Sequence, residues 1–254
     1  MTDRFYYDLH IHSCLSPCGD DDNTPNNIAG MATLSELDIV ALTDHNTCKN
    51  CPAFFEAAEK YGIVPIAGME LTTSEDIHIV CLFETLDEAM TFDRFVEEHR
   101  ILIKNRPEFF GEQWILNSQD EPIAKEEHLL SNATTISSDD VYAIVKKFGG
   151  ICYPAHIDRD SNSITAVLGT IPPDSEFSYF EIHDGENADL CESRYGVNKD
   201  RLIVSSDAHC LTDIRDKENY FLLDADRSSP DDVRSKLFGM LRKNKHRDPP
   251  TQIS

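Results

Sequence analysis

Basic residues are scarce in this chain. Lysine and arginine number 23 against 46 aspartates and glutamates in 254 residues, a formal net charge of −23. A field of that sign repels phosphate backbones over most of the surface, which excludes tight binding along an extended duplex. It leaves room for a short phosphorylated substrate held by cations. Long apolar runs are also missing: none approaches the roughly 20 residues that span a bilayer, so no membrane association is expected. The opening Met1-Thr2-Asp3-Arg4-Phe5 lacks the basic, apolar and small-residue blocks of a signal peptide, and the expected compartment is the cytoplasm. No internal repeat or low-complexity tract is found, which excludes a solenoid. The length suits one α/β barrel or two small domains, enough chain to bury a core without staples.

Cysteine is not scarce, but its context argues against a disulfide framework. The eight are Cys14, Cys18, Cys48, Cys51, Cys81, Cys152, Cys191 and Cys210, in a long chain without a signal. Reduced thiols are expected for most. Cys81 and Cys152 lie in apolar runs and read as core. Cys14, Cys18 and the Cys48-Lys49-Asn50-Cys51 pair have the spacing of a zinc tetrad, on the weak signal of a single CxxC.

Strand-like and helix-like segments alternate. Phe5 to Ile11, Leu37 to Thr43, Ile63 to Ala67, Ile77 to Phe83, Ile151 to Pro154, Phe177 to His183 and Arg201 to Ser205 read as strands. Thr24-Pro25 opens a helix towards Leu34, and Pro52 to Tyr61 is a helix that Gly62 ends. Further helices are predicted from Leu86 to about Ile103, from the Ser137-Ser138-Asp139-Asp140 cap to Phe148, near Ser163 to Leu168, and from Pro230 to about Lys243. Residues 105–135 break the rhythm with turn chemistry and are expected to form a cap or lid, not a separate domain. The expected organisation is one barrel domain over residues 1–244, α/β with a largely parallel sheet, followed by a polar tail over 245–254.

Histidines and carboxylates collect at the ends of the apolar runs. Asp8, His10 and His12 alternate along one strand, so their side chains share a face and both imidazoles can reach one cation, with Asp8 behind them. Asp207 and His209 repeat that spacing after Arg201 to Val204. His45 follows Ile39 to Leu42, Glu70 follows Ile63 to Ile66, His78 enters the run Ile79 to Leu82, and His156 follows Ile151 to Ala155. Any one of these is more often a core histidine than a ligand. Their recurrence at the same structural place, the strand ends where barrels and open sheets build active sites, points to metal chemistry. His183 ends another strand and could contact substrate. His99, His128 and His246 read as structural or surface residues.

The ordered motifs HxH, TDH, GxE, a downstream His, PAH and SDAH, spread from Asp8 to His209, resemble the PHP domain family, named for polymerase and histidinol phosphatase. The resemblance implies a distorted seven-stranded β/α barrel with two or three divalent cations, Mn, Fe or Zn. It implies a first metal on His10, His12, Glu70 and Asp207, a second on Glu70, His78 and His156, and a third on His45 and His209. A further ligand is implied from the loop Ser16-Pro17-Cys18-Gly19-Asp20; Pro17 cannot ligate, Cys18 or Asp20 can, and oxygen-and-nitrogen sets favour Asp20. Pro154-Ala155-His156-Ile157-Asp158-Arg159 is similar to a PAHxDR subset of the family, making Arg159 a candidate phosphate clamp or else a partner of Asp158 or Asp160. Asn46 is a candidate substrate contact or a turn-fixing residue.

The implied activity is phosphoester hydrolysis by a metal-activated water, with His45 or His209 as candidate proton donors. Nucleotides or short oligonucleotide ends are the preferred substrates. Two alternatives stand beside it. One is an amidohydrolase-like C–N hydrolase, against which Glu70 stands where such enzymes commonly carry a lysine. The other is an inactive metal-binding scaffold.

Overall fold

A computed structural model describes residues 2–243; the 245–254 tail lies outside the described residues. Ten strands run β1 (Asp3–Ile11), β2 (Ile39–Leu42), β3 (Val64–Thr72), β4 (His78–Phe83), β5 (Trp114–Leu116), β6 (Pro122–Lys125), β7 (Ile151–Pro154), β8 (Phe180–Ile182), β9 (Leu202–Val204) and β10 (Tyr220–Leu223). Eight helices accompany them: α1 (Pro25–Leu34), α2 (Cys51–Tyr61), α3 (Leu86–His99), α4 (Pro107–Phe110), α5 (Val141–Lys147), α6 (Ile164–Leu168), α7 (Ala188–Tyr195) and α8 (Pro230–Lys243). Six strands form one curled sheet in the order β10-β1-β2-β3-β4-β7, and β8 pairs in parallel with β9.

The sheet is less parallel than the alternation predicts. β4 runs antiparallel to both β3 and β7, and β10 runs antiparallel to β1. β3 and β4 are joined by a tight turn in which the Thr73 N–H bonds the Ile77 carbonyl. That link is too short for the crossover a parallel pair needs, so a hairpin is the only solution. Because β4 is reversed, His78 at its start lies beside Glu70 near the end of β3. Neither β10 nor α7 was foreseen, and α3 stops at His99, short of Ile103.

The two faces of the curled sheet carry separate cores. Phe5, Tyr7, Leu9, Ile39, Ile66, Val80, Leu82 and Tyr153 meet on the inner face. Val40, Leu42, Met69, Ile79, Cys81 and Cys152 meet the helices on the outer face. α8 sends Val233, Leu237, Phe238 and Leu241 into the inner core. Its Arg234 and Arg242 bond the carbonyls of Pro65 and Gly149, which places the helix across the N-terminal ends of β3 and β7. One mouth is thereby plugged with apolar side chains, and the other is left to polar ones. At Gly68 the neighbouring β4 approaches so closely that a Cβ would lie 2.6 Å from the Cys81 carbonyl oxygen, so only glycine fits.

Residues 105–135 contain α4, the β5–β6 hairpin and irregular chain, and they lie against the polar mouth. The Asn50 side chain donates to the Trp114 carbonyl and accepts from the Leu116 N–H. Glu126 pins the segment's far end through Lys49 at 3.0 Å and Arg100 at 3.2 Å. Burial alone would raise the Glu126 carboxyl, but the two cations outweigh it and hold it at about 2, against an ordinary 4.5. A lowered carboxyl stabilises above its ordinary value and loses that contribution as pH falls through the lowered one. Glu126→Gln should therefore speed hydrogen exchange in residues 105–135 at pH 6, and the excess over the native chain should shrink as pH drops from about 4.5 towards 2. An equal excess at every pH would show that the ion pairs do not hold the segment.

Candidate metal centre

Glu70 sits at the focus of the polar mouth, 1% exposed, in a shell of imidazoles. Its carboxylate oxygens lie 2.8 Å from His78 Nδ1, 3.0 Å from His45 Nδ1, 3.0 Å from His156 Nε2 and 3.4 Å from both His10 Nε2 and His12 Nε2. Asp207 closes the arrangement, with Oδ1 3.1 Å from His12 Nε2 and 3.3 Å from His10 Nε2.

The approach of His10 and His12 depends on a change of phase in β1. Phe5, Tyr7 and Leu9 belong to the inner core, yet Ile11 belongs to the outer one. Simple alternation would send His10 and His12 outward. The β1–β2 register shifts between Asp8 and Ile11, and that irregularity swings both imidazoles inward. Two other residues reach the site from positive φ, His156 at 31° and Asp207 at 51°. Such angles are costly for non-glycine residues and concentrate where side-chain aim outweighs backbone comfort.

A hydrogen-bonded layer behind the cluster sets which nitrogen each ring offers. The Ser16 hydroxyl donates to Asp44 Oδ1 at 2.7 Å, so its oxygen accepts from His12 Nδ1–H at 2.9 Å. His10 donates Nδ1–H to Glu181 Oε1 at 2.8 Å. His209 donates Nδ1–H to the Asp207 carbonyl at 2.7 Å. In each case the Nε2 lone pair is left for a cation, the usual arrangement around ligating histidines. Asp44 is held by the Ser13 N–H and hydroxyl, and Asp8 accepts from the His10 and Ser206 amides.

Without cations the cluster is a set of opposed charges. Burial opposes ionisation of Glu70, but the imidazoles of His78, His10 and His45 outweigh it and hold the carboxyl well below its ordinary range. Asp207 is lowered in the same way, chiefly by His10 and His12. Burial would depress His12 and His45; neighbouring carboxylates, with Cys18 at His45, reverse this and bring both up to about 9. His209 goes the other way, to about 4, through burial and the charge of His12.

The donors fit divalent cations. Among the described residues three sets converge, each with its donor atoms within 4.8 Å of one another: His10, His12, Glu70 and Asp207; His45, Glu70 and His78; and His12, Cys18, His45 and His209. The buried His45 Nδ1 and His78 Nδ1 lie 3.0 and 2.8 Å from Glu70 oxygens without the alignment of a hydrogen bond, although buried polar atoms are almost always satisfied. Their lone pairs suit a cation.

The first set gathers the residues read from the sequence. In the second, His45 joins Glu70 and His78, while His156 approaches Glu70 from outside that set. In the third the loop contributes Cys18 where Asp20 was preferred. Asp20 Oδ1 instead accepts from the Asp22 N–H at 2.9 Å, closing its own exposed turn. Cys48 and Cys51 point their thiols at the Gly68 carbonyl, away from Cys18, so the tetrad is not assembled. All eight cysteines are free thiols.

Asn46 has no side-chain group left for substrate. It donates to the Leu130 and Asn132 carbonyls and accepts from the Thr72 N–H, tying the 105–135 segment to the mouth. Arg159 pairs with neither Asp158 nor Asp160. Its guanidinium bonds Asp207 Oδ2 at 2.5 Å and His183 Nδ1 at 3.1 Å, with the side chain 37% exposed. His183 is thus a support for Arg159 at the rim. Glu181 escaped the sequence reading, as did the orienting roles of Ser16 and Asp44. Glu181 was recoverable in principle, as one acidic residue between Phe180 and Ile182 in a buried strand.

The family model for the PHP domain matches residues 8–159, and the chain belongs to that family. An uncharacterized protein of Methanocaldococcus jannaschii is 29% identical over 101 residues, 36% of this chain and 58% of that protein. Endonuclease Q bound to a duplex with an abasic lesion superposes with a TM-score of 0.59 at 17% identity, covering 93% of this chain and 57% of that one. A candidate metal-dependent phosphoesterase from Bifidobacterium adolescentis gives 0.56 at 17% identity over 93% of this chain and 97% of its own. An amidohydrolase from Chromobacterium violaceum gives 0.53 at 17% identity over 84% and 91%. The chain spans a little over half the length of the archaeal relative and of endonuclease Q, and at these identities the superpositions establish shared fold alone.

Two outcomes are expected. Zinc loading at pH 7 should release protons, because His12 and His45 keep theirs to about 9. Apparent affinity should therefore rise with pH up to about 9 and then flatten; calorimetry in buffers of differing ionisation enthalpy checks both. Glu181→Gln, which weakens the orientation of His10, should lower metal affinity by roughly 10–100-fold. An unchanged affinity would remove Glu181 from the site.

Proposed function

We propose that the chain is a metal-dependent phosphoesterase acting on a small phosphorylated substrate, preferably a nucleotide or a short oligonucleotide end. The observation that carries this reading is one buried carboxylate, Glu70, shared between two sets of donors, with Arg159 at their rim. Two or three divalent cations, Mn, Fe or Zn, would be held by His10, His12, Glu70 and Asp207, by His45, Glu70 and His78 with His156 adjoining, and by Cys18, His45 and His209. Bound there, they supply Lewis-acid polarisation of a phosphoryl oxygen and lower the pKa of a water.

The chain's own residues do the remainder. Arg159 is immobilised by Asp207 and His183 and keeps N–H groups free at the rim, where they can grip a phosphoryl oxygen. The apolar inner core below Glu70 excludes water from beneath the site. His209 offers a single nitrogen, and its lowered pKa leaves that nitrogen unprotonated at neutral pH, so it suits a cation better than proton delivery. His45 keeps its proton to about 9 and can deliver one to the leaving oxygen only where it does not ligate.

The reading takes β8 and β9 as closing the curled sheet into a seven-stranded ring with β1, β2, β3, β4 and β7. It is supported by the His12 N–H to Ala208 carbonyl bond at 2.9 Å and the Ile157 N–H to Glu181 carbonyl bond at 2.8 Å. Residues 1–244 are taken as one unit with 105–135 as its cap, working in the cytoplasm; among the described residues no helix is long and apolar enough to cross a membrane. A short substrate is favoured over an extended duplex by the charge of −23. Endonuclease Q, solved on a lesioned duplex, lends support to a nucleic-acid end as one member of the class.

The test is phosphate release from nucleoside monophosphates, nucleoside 3′,5′-bisphosphates, short oligonucleotides and histidinol phosphate, with Mn²⁺ supplied. The native chain should release phosphate from at least one class. His10→Ala should lose about a thousandfold or more in kcat/KM. No release by a chain shown to hold metal would overturn the reading in favour of C–N hydrolysis, or of a scaffold without turnover.

A further inference from the structure

The outer donor set differs from the other two in kind. His10, His12, Glu70, Asp207 and His78 offer only nitrogen and oxygen, whereas Cys18 brings a sulfur within 4.8 Å of the donor atoms of His12, His45 and His209. His12 stands in two sets but has one nitrogen to give. Its Nδ1 is bound to Ser16, and its Nε2 lies 3.1 Å from Asp207 Oδ1 and 3.4 Å from Glu70 Oε2, so it belongs with the carboxylates. The outer position is then left with Cys18, His45 and His209. His209 has its Nδ1 tied to the Asp207 carbonyl, and His45 turns its Nδ1 to Glu70 Oε2 at 3.0 Å, which leaves its other ring nitrogen for the outer position.

The loop geometry brings sulfur to the rim. The Gly19 N–H bonds the Ser16 carbonyl, and the Asp20 N–H bonds the carbonyl of His209 at 2.8 Å. The turn carrying Cys18 is therefore clamped to the backbone of one of its fellow donors. Cys18 is exposed while Cys14, four residues earlier, is buried. Nothing in the packing of the core calls for a cysteine at this position.

We propose that Cys18 is a thiolate ligand that makes the outer metal position, with His45 and His209, selective for a thiophilic cation, Zn²⁺ or Fe²⁺, over Mn²⁺. This rests on the metal-dependent reading above. Thiolate raises affinity for borderline-soft cations, while carboxylate and water suit Mn²⁺, so one cluster presents two affinities. Three protein donors also leave one coordination position open, the usual state of a zinc site that handles substrate. The exposed sulfur ties occupancy of that position to thiol chemistry: a thiol that is alkylated cannot hold the ion.

Cobalt substitution reads this directly. The native chain loaded with Co²⁺ should show the near-ultraviolet sulfur-to-cobalt charge-transfer band. Cys18→Ser should lose the band and bind one ion fewer per chain, and Cys210→Ser should keep both. Cys18→Asp should bind the full complement without the band and shift the outer position towards Mn²⁺ in Zn/Mn competition. Zn²⁺ should slow alkylation of Cys18 by iodoacetamide by about tenfold or more. A band that survives in Cys18→Ser, or a native cobalt protein without one, would overturn the assignment. Either failure leaves the ions on Glu70 and Asp207 in place and is independent of the phosphate-release test, which can fail with the band intact.

Discussion

One buried carboxylate among imidazoles is the constraint to which the rest of the molecule answers. An isolated charge at the position of Glu70 would cost several kcal/mol to bury. It is tolerated because histidines from separate strands surround it, and because their free nitrogens and its oxygens are compatible with shared cations. Every element that carries one of these groups must open one of its ends onto the same mouth. The reversed β4, the phase change in β1 and the positive φ at His156 and Asp207 are the local irregularities that bring this about.

The structure divides labour between its two ends. α8 fills the opposite end with Val233, Leu237 and Phe238 and makes it a stability element. The polar mouth bears the charges, the strained backbone and the 105–135 segment. Asn46 and Asn50 stitch that segment down through backbone groups, so two asparagines beside the site serve its architecture. The chain is strongly acidic overall, yet Arg159 is kept at the rim by Asp207, itself a donor to the cluster. Loss of Asp207 would remove a donor and the anchor of the one arginine best placed for phosphate.

Much of the site was legible because ligands follow simple local rules. The i, i+2 spacing of His10 and His12, and the acidic or imidazole residue closing each apolar run, state which residues meet before the fold is known. What stayed hidden depends on contacts far apart in sequence. Glu181 matters because β8 brings its carboxylate to His10 on β1, far away in sequence, and Ser16 because its hydroxyl joins Asp44 to His12. Even the inward aim of His10 and His12 relies on a register shift that alternation alone does not reveal.

The sequence by itself determined the family, most of the strand-and-helix order and the residues able to bind metal, since these reside in residue type and spacing. Tertiary structure alone decided which of them share a position. It placed Cys18, and not Asp20, within reach of His45 and His209, while Asp20 Oδ1 accepts from the Asp22 N–H in its own turn. It gave Asn46 to backbone carbonyls and paired Arg159 with Asp207, because hydrogen-bonding groups are assigned by proximity in space. A donor's chemistry is local to its residue; the partner that uses it is set by how the strands close around Glu70.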